Sequence, residues 1–220
     1  MDGVFTAQER SFDEIRHVGI AIAAINAEQR HIGLLHRDPE SNDVMMLHLA
    51  FHHDLRNEPA KTKYLWIDPP ILAERLIHVA AWCRLVWSAN QDDFPYSFSQ
   101  PEECFDSETG KFLIGPTRHG LTCATFVLAL FDVAGLKLVN YATWPTGRPG
   151  DREWQEFVVA QLPPTEVAHI EAMRSEVGSA RFRPEEVAGA ATVSPLPVDF
   201  VTAVERGERI LERLEADSKP

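Results

Sequence analysis

The sequence predicts an α+β fold: an antiparallel sheet packed on one buried helix, followed by a helical C-terminal extension. Three observations carry this. Residues 17–69 alternate short apolar runs with turn clusters. The stretch "HGLTCATFVLALFDVAGL", residues 119–136, reads as a helix with almost no polar face, and such a helix is buried on most sides. Beyond "NYATWPTGRPGD", residues 140–151, the chain becomes charged and helical in spacing. That Pro/Gly-rich connector divides the chain into a domain at 1–148 and an extension at 149–220.

In chain order, "HVGIAIAAI" (17–25) reads as a buried strand and "NAEQR" as its turn. "HIGLLHR" (31–37) reads as a second strand, ended by the turn cluster "DPESND". "VMMLHLAFHHDL" (44–55) reads as a third strand and "TKYLWIDP" (62–69) as a short fourth. In "PPILAERLIHVAAWCRLVWSAN" (69–90) the period changes. Leu72, Leu76, Ile77, Val79, Ala80, Cys83, Val86 and Trp87 follow helical spacing, with Pro70 near the start. A long irregular stretch follows to Gly120, and its aromatics Phe94, Tyr96, Phe98 and Phe105 predict packing rather than disorder. In the apolar helix Thr122 is a natural N-cap and Gly135 a natural stop. The extension holds three helical runs, 151–162, 164–177 and 200–216, with "RPEEVAGAATVSPLPVD" between the last two; "ADSKP" reads as a frayed end.

Bulk composition excludes several roles. The formal net charge of −12 leaves no basic face for a nucleic-acid backbone or an anionic membrane. There is no run of about 18 apolar residues to span a bilayer, and "MDGVFTAQERSFDEIRH" lacks the basic-then-apolar pattern of a secretory signal. Three scattered cysteines form neither a disulfide framework nor a CxxC zinc pair, and a reducing cytoplasm is expected. "HLAFHH", with His48, His52 and His53, lacks an HExxH pattern and an identifiable acidic third ligand, so no metal or cofactor is expected.

The chemistry centres on Cys123, in the first turn of the apolar helix. A helix N-terminus is where a thiol is most readily made a thiolate. A useful thiolate needs a neighbouring imidazole, and that imidazole needs a third group to orient it. His17 opens the first strand and His36 closes the second, so a hairpin at "NAEQ" brings both to one end of the sheet. His31 falls at the other end. Cys83, on the apolar stripe of its helix, reads as core, and Cys104, between Glu103 and Phe105, as a poor nucleophile. Cys123 also has a plain alternative as a small core residue.

"HVGIAI", followed one strand later by "LLH" and then by "LTCATFV", resembles the His strands and nucleophile helix of NlpC-type papain-fold cysteine peptidases. With the Cys helix last, the chain resembles the circularly permuted branch that includes lecithin-retinol acyltransferase-like enzymes. The resemblance spans roughly residues 15–140 and rests on element order. It implies a papain-like sheet on a nucleophile helix, with Cys123 as nucleophile, His17 as base and His36 as orienting residue. It also implies a substrate-binding role for Tyr96 in "FPYSF", with Thr122 and His119 beside the nucleophile. Arg37 and the long loop at 97–119 depart from the family pattern. The activity implied is cleavage of a peptide or isopeptide amide by a Cys–His–His set through an acyl-enzyme. The alternatives are an acyltransferase or thioesterase acting on acyl chains, or an inactive binding protein of the same fold. The C-terminal helices are candidates for a partner or homodimer surface.

Overall fold

The structure is a computed structural model and describes residues 3–38 and 40–217. Pro39 of the "DPESND" turn and the last three residues of the frayed end lie outside the described residues. Six antiparallel strands form one open sheet: β1 (Val4–Phe5), β2 (Val18–Ala24), β3 (Arg30–Arg37), β4 (Val44–Phe51), β5 (Asp54–Pro59) and β6 (Leu65–Ile67), in the order β1-β6-β2-β3-β4-β5. The helices are α1 (Ala73–Asn90), α2 (Cys123–Val133), α3 (Asp151–Ala160), α4 (Val167–Ser175), α5 (Pro184–Ala190) and α6 (Phe200–Asp217). None is long and apolar enough among the described residues to cross a membrane.

The two faces of the sheet follow from the period of two. Ile20, Ile22, Ile32, Leu34, Leu47 and Leu49 point to one face, where α1, α2 and α5 pack. Ala21, Leu35, Val44, Met46 and Trp66 point to the other, covered by Phe5, Phe12 and Ile15 of the N-terminal segment. Helix α2 is buried along its length, as its composition requires, and Cys83 of α1 is a fully buried core residue. Leu72 and Ile77, by contrast, lie exposed off the stripe of α1. The long loop packs as its aromatics predict: Phe94, Phe105 and Phe112 gather around Phe126. Asn90 holds it, accepting from the Phe112 N–H at 2.8 Å and donating to the Gly110 carbonyl at 2.9 Å.

Three elements differ from the sequence reading. The run 44–55 is two strands, β4 and β5, joined at His52-His53, where His53 takes the left-handed conformation (φ 54°). No Gly or Asn marks that turn, so the run reads as continuous. β1 is too short to carry a pattern. The "RPEEV" segment forms α5, started by Pro184 at its first turn.

The extension shares the core of the sheet domain. Val158, Val187, Ala188 and Ile210 belong to the same apolar cluster as Ile22 and Phe126, so buried contacts run across the boundary drawn at residue 148. A buried ionic group anchors it: Asp151 accepts from Arg148 and Arg183, each at 2.9 Å, and Arg148 also bonds Glu186 at 2.5 Å. Helices α5 and α6 touch backbone to backbone, and a Cβ on Gly189 would stand 2.5 Å from the Gly207 nitrogen. Gly189→Ala therefore forces the helices apart. The expected cost is about 2 kcal/mol, read from the urea midpoint, and an unchanged midpoint would contradict this packing.

Candidate functional site

Helix α2 starts where the sheet opens. The β3–β4 ladder runs from Arg37↔Val44 to Leu34↔Leu47 and stops, so the strands part before Ile32. Thr122 caps α2, its hydroxyl accepting from the Thr125 N–H at 3.1 Å while its own N–H donates to Thr125 Oγ1 at 2.8 Å. This reciprocal cap seats the first turn in the gap, where the backbone N–H groups of Ile32 and Ala124 face the Cys123 sulfur and favour its thiolate. A cleft of about 580 Å³ opens there and is lined from both sides of the sheet. Cys123, Thr122, Tyr96, His31, His48 and Glu58 all line it.

The imidazoles in the cleft form a chain. His31 Nε2 lies 2.8 Å from His48 Nδ1, and His48 Nε2 lies 3.4 Å from a Glu58 carboxylate oxygen. Gly33 makes this possible, because a Cβ there would stand 2.7 Å from the His48 Cβ and 2.6 Å from the Met46 methyl. Lys61, 2.6 Å from Glu58, holds that carboxyl below its usual range. No hydrogen bond closes on His48 Nε2; the Glu58 carboxylate acts on it at 3.4 Å by charge, which favours the tautomer with the proton on Nε2. In that tautomer His48 Nδ1 accepts from His31 Nε2–H, and His31 Nδ1 keeps its lone pair.

The charge state at rest differs from the thiolate–imidazolium expectation. Burial pushes the Cys123 thiol up to about 11, outweighing the N–H groups of Ile32 and Ala124 and the nearby Arg181 charge. Burial, followed by the His48 neighbour, pushes His31 down to about 3. Thiol and imidazole are both neutral, because removing water penalises two new charges more than the helix end favours one.

The other expected residues divide cleanly. Tyr96 and Thr122 are buried and line the cleft with Cys123. His17 and His36 do not line it. Val18 pairs with His36, so His17 lies beyond the end of β2, and the register sets it opposite Arg37. Side chains alternate, which sends imidazoles 17 and 36 to opposite faces. Ile22 is the partner of Ile32. Five residues of strand separate His17 from Ile22, about 16 Å at about 3.3 Å per residue. His36 is fully buried with Nε2 bonded to Asn57 Oδ1 at 2.9 Å, a structural contact. His119 is also outside the cleft, its backbone N–H donating to Ser99 Oγ at 2.8 Å.

Sequence reasoning set His31 aside because it lies at the other end of its strand and read His48 only as part of "HLAFHH", whereas both line the cleft. The signal lay one strand on: His31-Ile-Gly has the same opening as His17-Val-Gly, and β4 carries "LHLA". Two further groups were out of reach. Trp154, Phe157, Arg181 and Phe182 show that the C-terminal extension builds one wall of the cleft. His52, His53 and Glu166 bring three ligand atoms within 4.8 Å of one another, supplying the acidic partner that "HLAFHH" lacked. However, His52 Nδ1 accepts the Tyr96 N–H at 3.1 Å, so its other nitrogen carries the proton and faces a cation badly. The remaining thiols stay at rest: burial pushes both Cys83 and Cys104 up to about 12.

No family model, curated protein or solved structure matches this chain. The site is accordingly read from its own geometry.

Burial of His31 has a consequence for stability. Its folded value of about 3 lies below the ordinary 6.5, so the unfolded chain binds the proton first. Stability is fully present above pH 6.5 and is lost as pH falls toward 3; His52, pushed down to about 4, acts with the same sign. The melting temperature should fall by about 5 °C or more between pH 6.5 and 4, and His31→Asn should reduce that fall. A flat profile would contradict a buried neutral imidazole.

Proposed function

We propose that the chain is a thiol-dependent hydrolase of amide bonds, with Cys123 as nucleophile, His31 as general base and His48 with Glu58 as the orienting pair. The observation that supports this is the sharing of one cleft by a helix-start thiol and a hydrogen-bonded imidazole pair beside the Glu58 carboxylate. Elsewhere among the described residues, Cys83 and Cys104 are buried away from the cleft.

The reaction begins from neutral partners. As sulfur attacks the acyl carbon, His31 Nδ1 takes the thiol proton, so charge separation occurs only when the substrate is there to absorb it. The Cys123 backbone N–H, which faces the Tyr96 hydroxyl, is the donor for the developing oxyanion. His31 then returns the proton to the leaving amine, and water resolves the acyl-enzyme with the same base. His48 holds the His31 tautomer throughout.

The cleft walls favour a polar amide over an acyl chain. Charged side chains, including Arg30, Arg56, Glu58, Lys61 and Lys63, stand among its aromatics, which is unlike an apolar tunnel. The acyltransferase or thioesterase reading therefore ranks second.

Alkylation of Cys123 by iodoacetamide, followed by mass mapping, tests the assignment. His31→Ala should slow labelling at pH 7.5 by about 100-fold, whereas His17→Ala should change it by about twofold at most. The reverse order would restore His17 as the base and overturn this reading. A second measurement concerns the resting state. The labelling rate should climb steadily from pH 6 to pH 10 and beyond, since the thiol lies near about 11. A plateau already reached at pH 6 would mean a preformed ion pair.

A further inference from the structure

The cleft is cationic on a strongly acidic protein. The chain carries a net charge of −12, yet five cationic and three carboxylate side chains line the cleft. Most of these charges are already engaged. Arg56 is bonded to Asp54 at 2.5 Å and Lys61 to Glu58 at 2.6 Å. Arg30 folds back onto the carbonyls of Asn26 and Ala27, both at 3.1 Å, and Lys63 lies over the Tyr64 ring at the rim.

Arg181 is different. It stands on the segment between α4 and α5 and lines the cleft beside Cys123 and Tyr96, near enough that its charge bears on both. Its guanidinium carbon lies 3.8 Å from the centre of the Trp154 ring, so the plane is held by stacking. Its side chain is only 15% exposed. Its one carboxylate contact is Asp151 at 3.4 Å, but Asp151 takes shorter bonds from Arg148 and Arg183. Its Nε is buried with no partner, a feature shared with Arg30, whose Nη1 is spent on the Asn26 and Ala27 carbonyls. The anchoring group thus has three arginines for the two carboxylates Asp151 and Glu186. A desolvated guanidinium with unspent donors is costly to keep unless something binds it. A stacked, planar fork of N–H donors matches a planar carboxylate.

We infer that Arg181 is a specificity-determining residue that receives a substrate carboxylate beside the reacting carbon, so that the cleft takes acidic peptides. This inference rests on the thiol-hydrolase reading of the same site. The surrounding positive potential attracts such a substrate despite the acidic remainder of the surface, and the Trp154 stack fixes where its carboxylate lands. The C-terminal extension is then the source of selectivity, and the sheet domain the source of chemistry.

Two alkylating agents of nearly equal size test this: iodoacetate, which carries a carboxylate, and iodoacetamide, which does not. In each case a sulfur–carbon bond forms at Cys123, the carbon–iodine bond breaks with iodide leaving, and the thiol proton passes to His31. The ratio of the iodoacetate rate to the iodoacetamide rate is compared with the same ratio for free mercaptoethanol at the same pH. For the native protein it should exceed the mercaptoethanol ratio by about tenfold or more, and the iodoacetate rate should saturate. Arg181→Met should return the ratio to that of mercaptoethanol, and Arg181→Lys should retain part of the preference. In the native protein, without any substitution, glutarate should protect Cys123 from iodoacetamide, and neither glutaramide nor inorganic phosphate should. A native ratio equal to that of mercaptoethanol, an Arg181→Met ratio equal to the native one, or protection by phosphate in place of glutarate would overturn the carboxylate assignment while leaving the reactive thiol intact. Failure of both reagents to label Cys123 would overturn the thiol reading and the inference together.

Discussion

The seat of α2 in the gap between β3 and β4 is the constraint on which the rest depends. The ladder stops at Leu34↔Leu47, and past that point the Ile32 N–H faces the sulfur. The Thr122–Thr125 cap fixes the first turn of the helix there. The fully buried Phe126, Leu128 and Phe131 make sliding the helix along the sheet expensive, because each occupies a packed site. The position of the thiol is therefore a packing result, set by apolar side chains and a helix cap.

That seat also sets the electrostatics. It puts Cys123 and the imidazoles of His31 and His48 on the walls of one cleft, and burial takes water from both. Burial raises the thiol to about 11 and lowers the His31 imidazole to about 3, so both rest neutral. The cost of keeping His31 and His48 dry is offset by their bond to each other and by the ordering carboxylate of Glu58. The C-terminal extension completes the enclosure. Glu176 accepts from the Phe98 N–H at 2.9 Å and the Ser99 hydroxyl at 2.7 Å, and His169 bonds the Tyr96 carbonyl at 2.8 Å. These contacts tie α4 to the loop that carries Tyr96.

Much of the fold was legible because it is local. The strands around Ile20 and Leu34, the apolar α2 and its Thr122 cap, and the buried aromatics of the long loop all follow from periodicity and capping chemistry. The β4–β5 turn was hidden, since His52-His53 bears no turn signature. Around the cleft, the position of Cys123 at the start of α2 and that of Tyr96 beside it were legible. Which histidines line the cleft with them was not. His17 and His31 open neighbouring strands with the same His-x-Gly pattern, and which one lines the cleft with the sulfur depends on the end of the sheet at which α2 begins. No local pattern encodes that; it is decided by long-range packing. The wall built by Trp154 and Arg181 was equally out of reach, since both come from a segment that reads as an extension.

The most direct test is a crystal structure of the native protein at neutral pH, with the sulfur of Cys123 and all nearby imidazoles resolved. The account predicts that the imidazole closest to the sulfur is that of His31, still bonded to His48, across a cleft open to solvent. A sulfur sealed among aliphatic side chains, or one whose nearest imidazole is that of His17, would contradict it.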